Sequence, residues 1–187
     1  MTIAGLAVSG VEACEAEGIP YMLTGAFATS CYGIPRSTRD VDLVLALEKA
    51  ADLMAIMGRL EGEVEFSGQL QFDTLTWGKR MVGTTREAPH FKLELFELFD
   101  DPFVQSQFSR RAEIWVETLG RSCYVPTVED VVVQKLRWAR DKDLIDATDV
   151  LVVQQPERLD LGYIRHWCRE HGSEARLESI LSEIAGG

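Results

Sequence analysis

The sequence predicts an α+β fold, α/β-like in its first part, in which helices flank a small mixed β-sheet. Three observations predict it. Strand-like segments concentrate before residue 125, helical spacing dominates after it, and no repeat or long linker divides the 187 residues. The length suits one domain with a real core. We therefore expect a core over 1–125 and a helical C-terminal region over 126–187 packed on it, with a single domain as the alternative.

The first part of the chain alternates helices with strands. Helices are predicted over 3–18, 26–33 and 48–62, and strands over 21–25 and 40–47. Gly18 and Pro20 end the first helix, and Gly62 ends the third. Residues 63–90 show no clear period, and their stretch 69–77 is compatible with either a helix or a strand.

The middle of the chain contains a strand, a helix and a hairpin, predicted over 90–98, 101–113 and 113–125. Apolar and polar side chains alternate through the strand "HFKLELFEL". Asp101 is placed as a helix cap, with Pro102 in the first helical position. The hairpin is expected to turn near Gly120 and Arg121.

The chain after Pro126 is predicted to be helical. Thr127 and Asp130 form a start like a capping box. Helical segments are expected over 127–142, 143–154, 159–171 and 173–187. This change of character marks the helical C-terminal region.

Composition and charge narrow the class of protein. Hydrophobic residues make up 46% and charged residues 26%, and no apolar run reaches the roughly 18 residues that cross a bilayer. The N-terminus lacks the basic start of a signal peptide, and the four cysteines lie far apart, so we expect a cytoplasmic protein with reduced thiols. The formal charge of −11 disfavours extended DNA, whereas a local basic cluster could still bind phosphates.

Two aspartates stand at the start of the strand "DVDLVLAL". Asp40 and Asp42 share one face of the strand, about 7 Å apart at their backbones, and unscreened carboxylates so placed repel each other. A Mg²⁺ ion would remove that conflict, and Glu94 on the other convincing strand is the natural third ligand. The alternatives are a solvated sheet face and neutralisation by salt bridges to arginines.

The segment before these aspartates has the features of a phosphate site. Gly25 ends a strand before a short helix, where backbone N–H groups favour phosphate. Arg36, Ser37 and Arg39 follow shortly before the aspartates. Arginines beside paired acids are suited to a metal-bound triphosphate. P-loop, GxGxxG, GxSxG and HExxH motifs are absent.

The stretch "LTGAFATSCYGIPRSTRDVDLVL" resembles the signature of the DNA-polymerase-β-like nucleotidyltransferase superfamily. It is most similar to the small stand-alone bacterial members, which include nucleotidyltransferases of toxin–antitoxin and abortive-infection systems. "FKLELF" is similar to the strand of their third carboxylate, and "VPTVEDVVVQKLRWARDKDLIDATDVL" to their following helices. The resemblance covers roughly residues 20 to 170.

The resemblance implies a metal-dependent transfer of NMP from an NTP to a hydroxyl of RNA, protein or a small molecule, with release of pyrophosphate. Two Mg²⁺ ions (or Mn²⁺) would be held by three carboxylates and the triphosphate by neighbouring groups. The implied catalytic and metal-binding residues are Asp40, Asp42 and Glu94. The implied nucleotide-binding residues are Gly25, Ala26, Arg36, Ser37, Arg39 and Lys135.

Two departures from the superfamily pattern keep other functions open. Its usual Gly-Gly or Gly-Ser pair is Gly25-Ala26 here, and its usual third aspartate is Glu94. The chain could therefore be a weak or inactive nucleotide-binding or antitoxin-like protein of the same fold, with a small cognate partner protein. A nucleotidyltransferase that modifies a cationic antibiotic is the other alternative. Lys135 could also be solvent-facing, Asp146 could pair with arginines, and Trp138 could serve packing.

Overall fold

The structure, a computed structural model, describes residues 1–74, 78–87 and 89–186. It confirms the α+β fold, with eight helices, a mixed six-stranded sheet and a two-stranded sheet among the described residues. The helices are α1 Ile3–Ala16, α2 Gly25–Tyr32, α3 Ala50–Leu60, α4 Pro102–Arg110, α5 Val128–Trp138, α6 Asp141–Gln154, α7 Leu161–Glu170 and α8 Glu174–Gly186. The strands are β1 Tyr21–Leu23, β2 Asp40–Leu45, β3 Val64–Phe66, β4 Gln71–Asp73, β5 Gly78–Thr85, β6 Lys92–Glu97, β7 Ala112–Val116 and β8 Arg121–Val125.

The larger sheet has the strand order β1-β2-β6-β5-β3, with β4 paired to β5. β2 and β6 run parallel in its centre, and the other pairs are antiparallel. Leu43, Leu93 and Leu95 are fully or almost fully buried in the core on one face of these central strands. Because side chains alternate along a strand, the polar residues between them point to the other face.

A second hydrophobic core joins the C-terminal helices to the sheet region. Ala28 of α2 and Phe103 of α4 are buried in it with apolar side chains of α5 to α8. The Tyr32 hydroxyl also donates to the carbonyl of Pro126 at 2.8 Å, and the Gln154 amide donates to the carbonyl of Tyr32 at 2.7 Å. The helical region is thus attached through α2 and α4, while its division from residues 1–125 as a separate unit stays a prediction.

Most predicted elements form near the expected residues. The hairpin β7–β8, for example, turns at Gly120, whose φ of 64° is left-handed. Two regions differ from the prediction. The predicted helix over 127–142 instead ends at Trp138, because Ala139 is left-handed with φ 54° and α6 begins at Asp141. β5 lies in the region where no period was found, and in the stretch 69–77 β4 is extended while 75–77 lie outside the described residues.

The remaining expectations concern cysteines and membranes. All four cysteines are free thiols in the structure. No helix among the described residues is long and apolar enough to span a bilayer.

Candidate active site

A cleft of about 380 Å³ opens beside the start of β2, between the sheet and α2, α4 and α5. The residues that sequence patterns or the resemblance single out all line it: Gly25, Ala26, Arg36, Ser37, Arg39, Asp40, Asp42, Glu94 and Lys135. Its lining holds four acidic and seven basic side chains. The acids are Asp40, Asp42, Asp73 and Glu94, and the bases are Arg36, Arg39, Arg80, Lys135, Arg137, Arg140 and Lys142. The cleft is therefore locally basic in an acidic chain.

Strand register brings the three predicted carboxylates to one face of the sheet. Asp42 and Glu94 are direct partners across the parallel pair β2–β6, and Asp40 lies two residues before Asp42. No hydrogen bond or ion pair joins the carboxylate of Asp40 or Asp42 to another described residue, whereas Glu94 is paired. The two aspartates thus face the cleft as uncompensated acids.

The electrostatics of Asp42 show the cost of this arrangement. Burial, followed by the charges of Glu94 and Asp40, raises the pKa of Asp42 from 3.8 to about 7. The nearby charges of Lys135 and Lys142 lower it only in part. A carboxyl with such a pKa gains from any cation that binds beside it.

Gly25, the first residue of α2, allows Asp42 to reach the cleft. Its φ of 62° is left-handed, and a Cβ added there would lie 1.9 Å from Oδ2 of Asp42. Thr24 precedes α2 without a side-chain capping bond, so its hydroxyl does not satisfy the first amides of the helix. Only glycine fits this position.

We predict that Gly25→Ala displaces the Asp42 carboxylate and lowers activity about 100-fold or more, because a shift of about 1 Å costs that much in an active site. The strained φ should also lower the free energy of unfolding by about 1–2 kcal/mol. Transfer from labelled NTPs, the activity that the resemblance implies, and urea denaturation measure the two effects.

Gly58→Ala is the matched control for this change. Gly58 lies inside α3, and a Cβ added there meets nothing within 4 Å. Alanine should stabilise that helix by up to about 1 kcal/mol and leave activity unchanged. Equal activities in the two alanine variants would contradict the role given to Gly25.

A chain of ion pairs forms the wall of the cleft next to Asp42. Arg36 donates two hydrogen bonds to Asp146, at 2.8 and 3.0 Å. Lys135, only 3% exposed, pairs with Asp146 at 2.7 Å and with Asp143 at 3.2 Å, and Arg140 also pairs with Asp143. Lys135 is thus buried rather than solvent-facing, and Asp146 pairs with an arginine as one alternative expected.

The pKa values of Asp143 and Asp146 reflect these contacts. Burial alone would raise the pKa of Asp146, but hydrogen bonds from Arg36 and Lys135 outweigh it and hold the pKa below its usual value. In the same way, Arg140 and Lys135 outweigh the effect of burial and lower the pKa of Asp143. Both carboxylates are therefore ionised at neutral pH, and they fix Arg36 and Lys135 at the cleft.

Arg80 of β5 is a cleft residue that the sequence did not single out. Its Nη1 donates to Oε2 of Glu94 at 2.7 Å and lies 3.6 Å from Asp73. Burial raises the pKa of Glu94, and the charge of Arg80 opposes that rise. Arg80 lies in the region without a clear period, so alternation gave no signal for it.

Part of the cleft lining is apolar. Phe96, Phe99 and Val104 line it, together with Gln107, which is 3% exposed. The Nε2 of Gln107 and the indole nitrogen of Trp138 are buried donors without a partner among the described residues. Trp138 therefore contributes to the cleft as well as to packing.

Asp40 and Asp42 fit a hard divalent cation, because both carboxylates lack a partner in the part of the chain that the structure describes and Asp42 carries the pKa of a crowded acid. Glu94 fits less well, since Arg80 already neutralises it. Within the described parts of the chain, no three His, Cys, Asp or Glu side chains form a group that could hold a metal ion. The three-carboxylate ligand set therefore stays a prediction.

Comparisons by sequence and by structure give different results. No protein-family model matches the chain, and no curated protein matches it by sequence. Solved structures do match. The crystal structure of ANT(2")-Ia in complex with adenylyl-2"-tobramycin aligns with a TM-score of 0.62 at 16% identity, covering 91% of this chain and 98% of that one.

Two further structures agree with this match. The solution structure of the antibiotic-resistance factor ANT(2'')-Ia has a TM-score of 0.61 at 15% identity, covering 96% of this chain and 97% of that one. An antigenic nucleotidyltransferase-like protein from Paracoccidioides brasiliensis has a TM-score of 0.54 at 18% identity, covering 94% and 90%. These likenesses confirm, at the level of the fold, the resemblance to nucleotidyltransferases.

Proposed function

We propose that this chain, which has a nucleotidyltransferase fold, moves an NMP from an NTP to a hydroxyl acceptor in a Mg²⁺-dependent reaction and releases pyrophosphate. The observation that carries the proposal is the pair Asp40 and Asp42. Neither carboxylate has a hydrogen-bond or ion-pair partner among the described residues, and Asp42 lies against Gly25 at the N-terminus of α2 in a cleft lined by bases. Uncompensated acids among bases suit a cation and a polyanion bound together.

The residues around this pair would bind and orient the triphosphate. Asp40 and Asp42 would hold the divalent cation, and Glu94, the third predicted carboxylate, would lie beside it. A bound cation offsets triphosphate charge and lowers the pKa of an attacking hydroxyl. Phosphate oxygens would lie at the amides of Gly25 and Ala26, which begin α2. Cationic and polar groups would surround the remaining oxygens: Arg36, Ser37, Arg39 and Lys135.

The transfer itself is a displacement at the α-phosphorus. The acceptor oxygen forms the new bond to phosphorus, and the bond from the α-phosphorus to the bridging oxygen breaks with its electron pair leaving on pyrophosphate. The hydroxyl proton would pass to the Glu94 carboxylate, whose pKa is raised by burial. In-line positioning supplies most of the rate enhancement in such a reaction.

Labelled nucleotides test this function. The protein is incubated with each NTP labelled at the α- or the γ-phosphate, Mg²⁺ or Mn²⁺, and RNA, protein and small-molecule fractions of a lysate. We expect transfer of the α-label alone, with pyrophosphate released in equal amount, and none with Asp40→Asn. Transfer of the γ-label would identify phosphoryl transfer and contradict the proposal.

A second candidate function is nucleotide binding without efficient catalysis. The ion pair of Glu94 with Arg80 favours it, as does Ala26, which lacks the hydroxyl of the usual serine. Equilibrium dialysis with a labelled NTP separates the two functions. Tight binding with no transfer to any fraction would support the binding protein, and the small partner protein that the resemblance suggests stays a prediction in either case.

The charges in the cleft favour some acceptors over others. Of its four acids, Asp73 and Glu94 contact Arg80, and the other two are the proposed metal ligands. A polycationic antibiotic, which is bound best by free carboxylates, therefore finds few partners here. We rank neutral and anionic acceptors first and include tobramycin as a comparison in the assay.

A further inference from the structure

Arg80 is fixed beside Glu94 by contacts on several sides. Its guanidinium donates to Glu94 at 2.7 Å, lies 3.6 Å from Asp73 and sits 5.7 Å from the centre of the Phe96 ring. The side chain is 25% exposed, and its Nε is buried with no hydrogen-bond partner among residues 1–74, 78–87 and 89–186. An arginine held by two carboxylates and an aromatic ring has little freedom to leave.

The strand register explains why Arg80 reaches Glu94. In the antiparallel pair β5–β6, Arg80 is opposite Phe96 and Val82 is opposite Glu94. Arg80 and Glu94 are therefore diagonal neighbours on one face, a separation that a long side chain spans. The same face carries Asp42, the direct partner of Glu94 on β2. Arg80 thus belongs to the site by backbone geometry.

A guanidinium at this position changes what Glu94 can bind. Oε2 of Glu94 already accepts a charge-assisted hydrogen bond from Arg80, so one of the two carboxylate oxygens is engaged by a cation. A divalent cation on the other oxygen would lie within a few ångströms of the guanidinium charge, and like charges so close repel strongly in a partly buried site. Asp40 and Asp42 have no such cationic partner among the described residues.

We infer that Arg80 takes the place of a second metal ion, so that the chain binds one divalent cation, at Asp40 and Asp42, and Glu94 is not a metal ligand. The inference rests on the proposed function and corrects the two-ion site that the resemblance implies. Arg80 is a positioning residue in this arrangement, because it acts through Glu94 by holding that carboxylate in the cleft.

Counting bound Mn²⁺ ions tests the inference without measuring catalysis. Electron paramagnetic resonance reports free Mn²⁺ during a titration, in the absence and presence of a saturating α,β-methylene NTP analogue, whose own binding of Mn²⁺ is subtracted. We expect one ion per chain for the wild type and a second for Arg80→Met, with an affinity at least about tenfold higher than any second ion in the wild type. Two equally tight ions in the wild type, or one in both proteins, would overturn the inference.

Lys79→Met is the charge-matched control for Arg80→Met. Lys79 is the exposed neighbour on β5 and points to the other face of the strand. This variant loses one positive charge from the same strand, and we expect it still to bind one Mn²⁺ ion per chain. If this control binds a second Mn²⁺ ion, the net charge of the strand and not the position of Arg80 determines how many ions the chain binds.

Glu94→Gln provides a second test that does not require the Arg80 variant to fold. If Glu94 is not a ligand, the glutamine variant binds Mn²⁺ with the same number and an affinity within about threefold of the wild type. Loss of an ion would overturn the inference. Asp42→Asn tests the proposed function separately from this inference. If Mn²⁺ binding does not depend on Asp42, the metal site of the proposed function is wrong, whatever the role of Glu94.

Discussion

Asp42→Asn is expected to abolish nucleotidyl transfer, with a loss of about 10³-fold or more, and at the same time to stabilise the metal-free protein. Removing one ligand charge removes several kcal/mol of transition-state stabilisation. The same carboxylate is crowded by Glu94 and Asp40 and has no cationic partner in the described chain. Asparagine keeps the shape of the side chain and removes the repulsion.

The stabilising effect should depend on pH in a defined direction. Burial and neighbouring acids raise the pKa of Asp42 from 3.8 to about 7, so its ionised form opposes folding as the pH rises from about 4 to 7. Above pH 7 the free energy of unfolding of the variant should exceed that of the wild type by about 2 kcal/mol, because solvent in the cleft reduces the full effect of the pKa shift. Near pH 4 the two free energies should be almost equal. Urea denaturation without divalent cations measures this difference.

Added Mg²⁺ should then make the wild type more stable than Asp42→Asn. The wild type gains stability by binding the ion, whereas Asp42→Asn gains little. Asp149→Asn is the control, because it removes a partly exposed carboxylate of α6 outside the cleft. Its transfer rate and its response to Mg²⁺ should match the wild type. An active Asp42→Asn variant would exclude the metal site.

Local patterns predicted much of the fold because the information lies within a few residues. Alternation through β6, the cap at Asp101 and the turn at Gly120 are each visible in short stretches, and the structure has all three. β5 was missed for a physical reason. Its position 83 must be glycine, since a Cβ there would lie 2.4 Å from Val64, and this leaves a gap in the apolar alternation.

The candidate site was predictable where one strand carries its residues and not where distant elements meet. Asp40 and Asp42 are paired by strand geometry alone, and Glu94 joins them once β2 and β6 run parallel. The partner of Glu94, Arg80, depends on the register of a strand that no period revealed. The burial of Lys135 likewise depends on a chain reversal at Ala139, which places α6 against α5.

Lys135→Met is expected to destabilise the protein by about 3 kcal/mol at neutral pH. Lys135 is the shared partner of Asp143 and Asp146, whose side chains are 0% and 3% exposed. Without it, the ion pairs left to the two buried carboxylates among the described residues are Arg140 with Asp143 and Arg36 with Asp146, and both arginines are partly exposed. Chemical denaturation measures the loss, and Lys79→Met, at an exposed position of β5, should change stability by less than about 0.5 kcal/mol.

The pH dependence of this loss distinguishes broken ion pairs from lost packing. Hydrogen bonds to cations hold the pKa of Asp143 and Asp146 below 3.8, so their contribution to stability is complete above about pH 5 and disappears as the pH falls through their folded-state pKa values. Below that range Lys135 is a buried cation facing neutral acids, and methionine suits the position better. The difference between wild type and Lys135→Met should therefore shrink and change sign in acid, whereas a packing defect would cost the same at every pH.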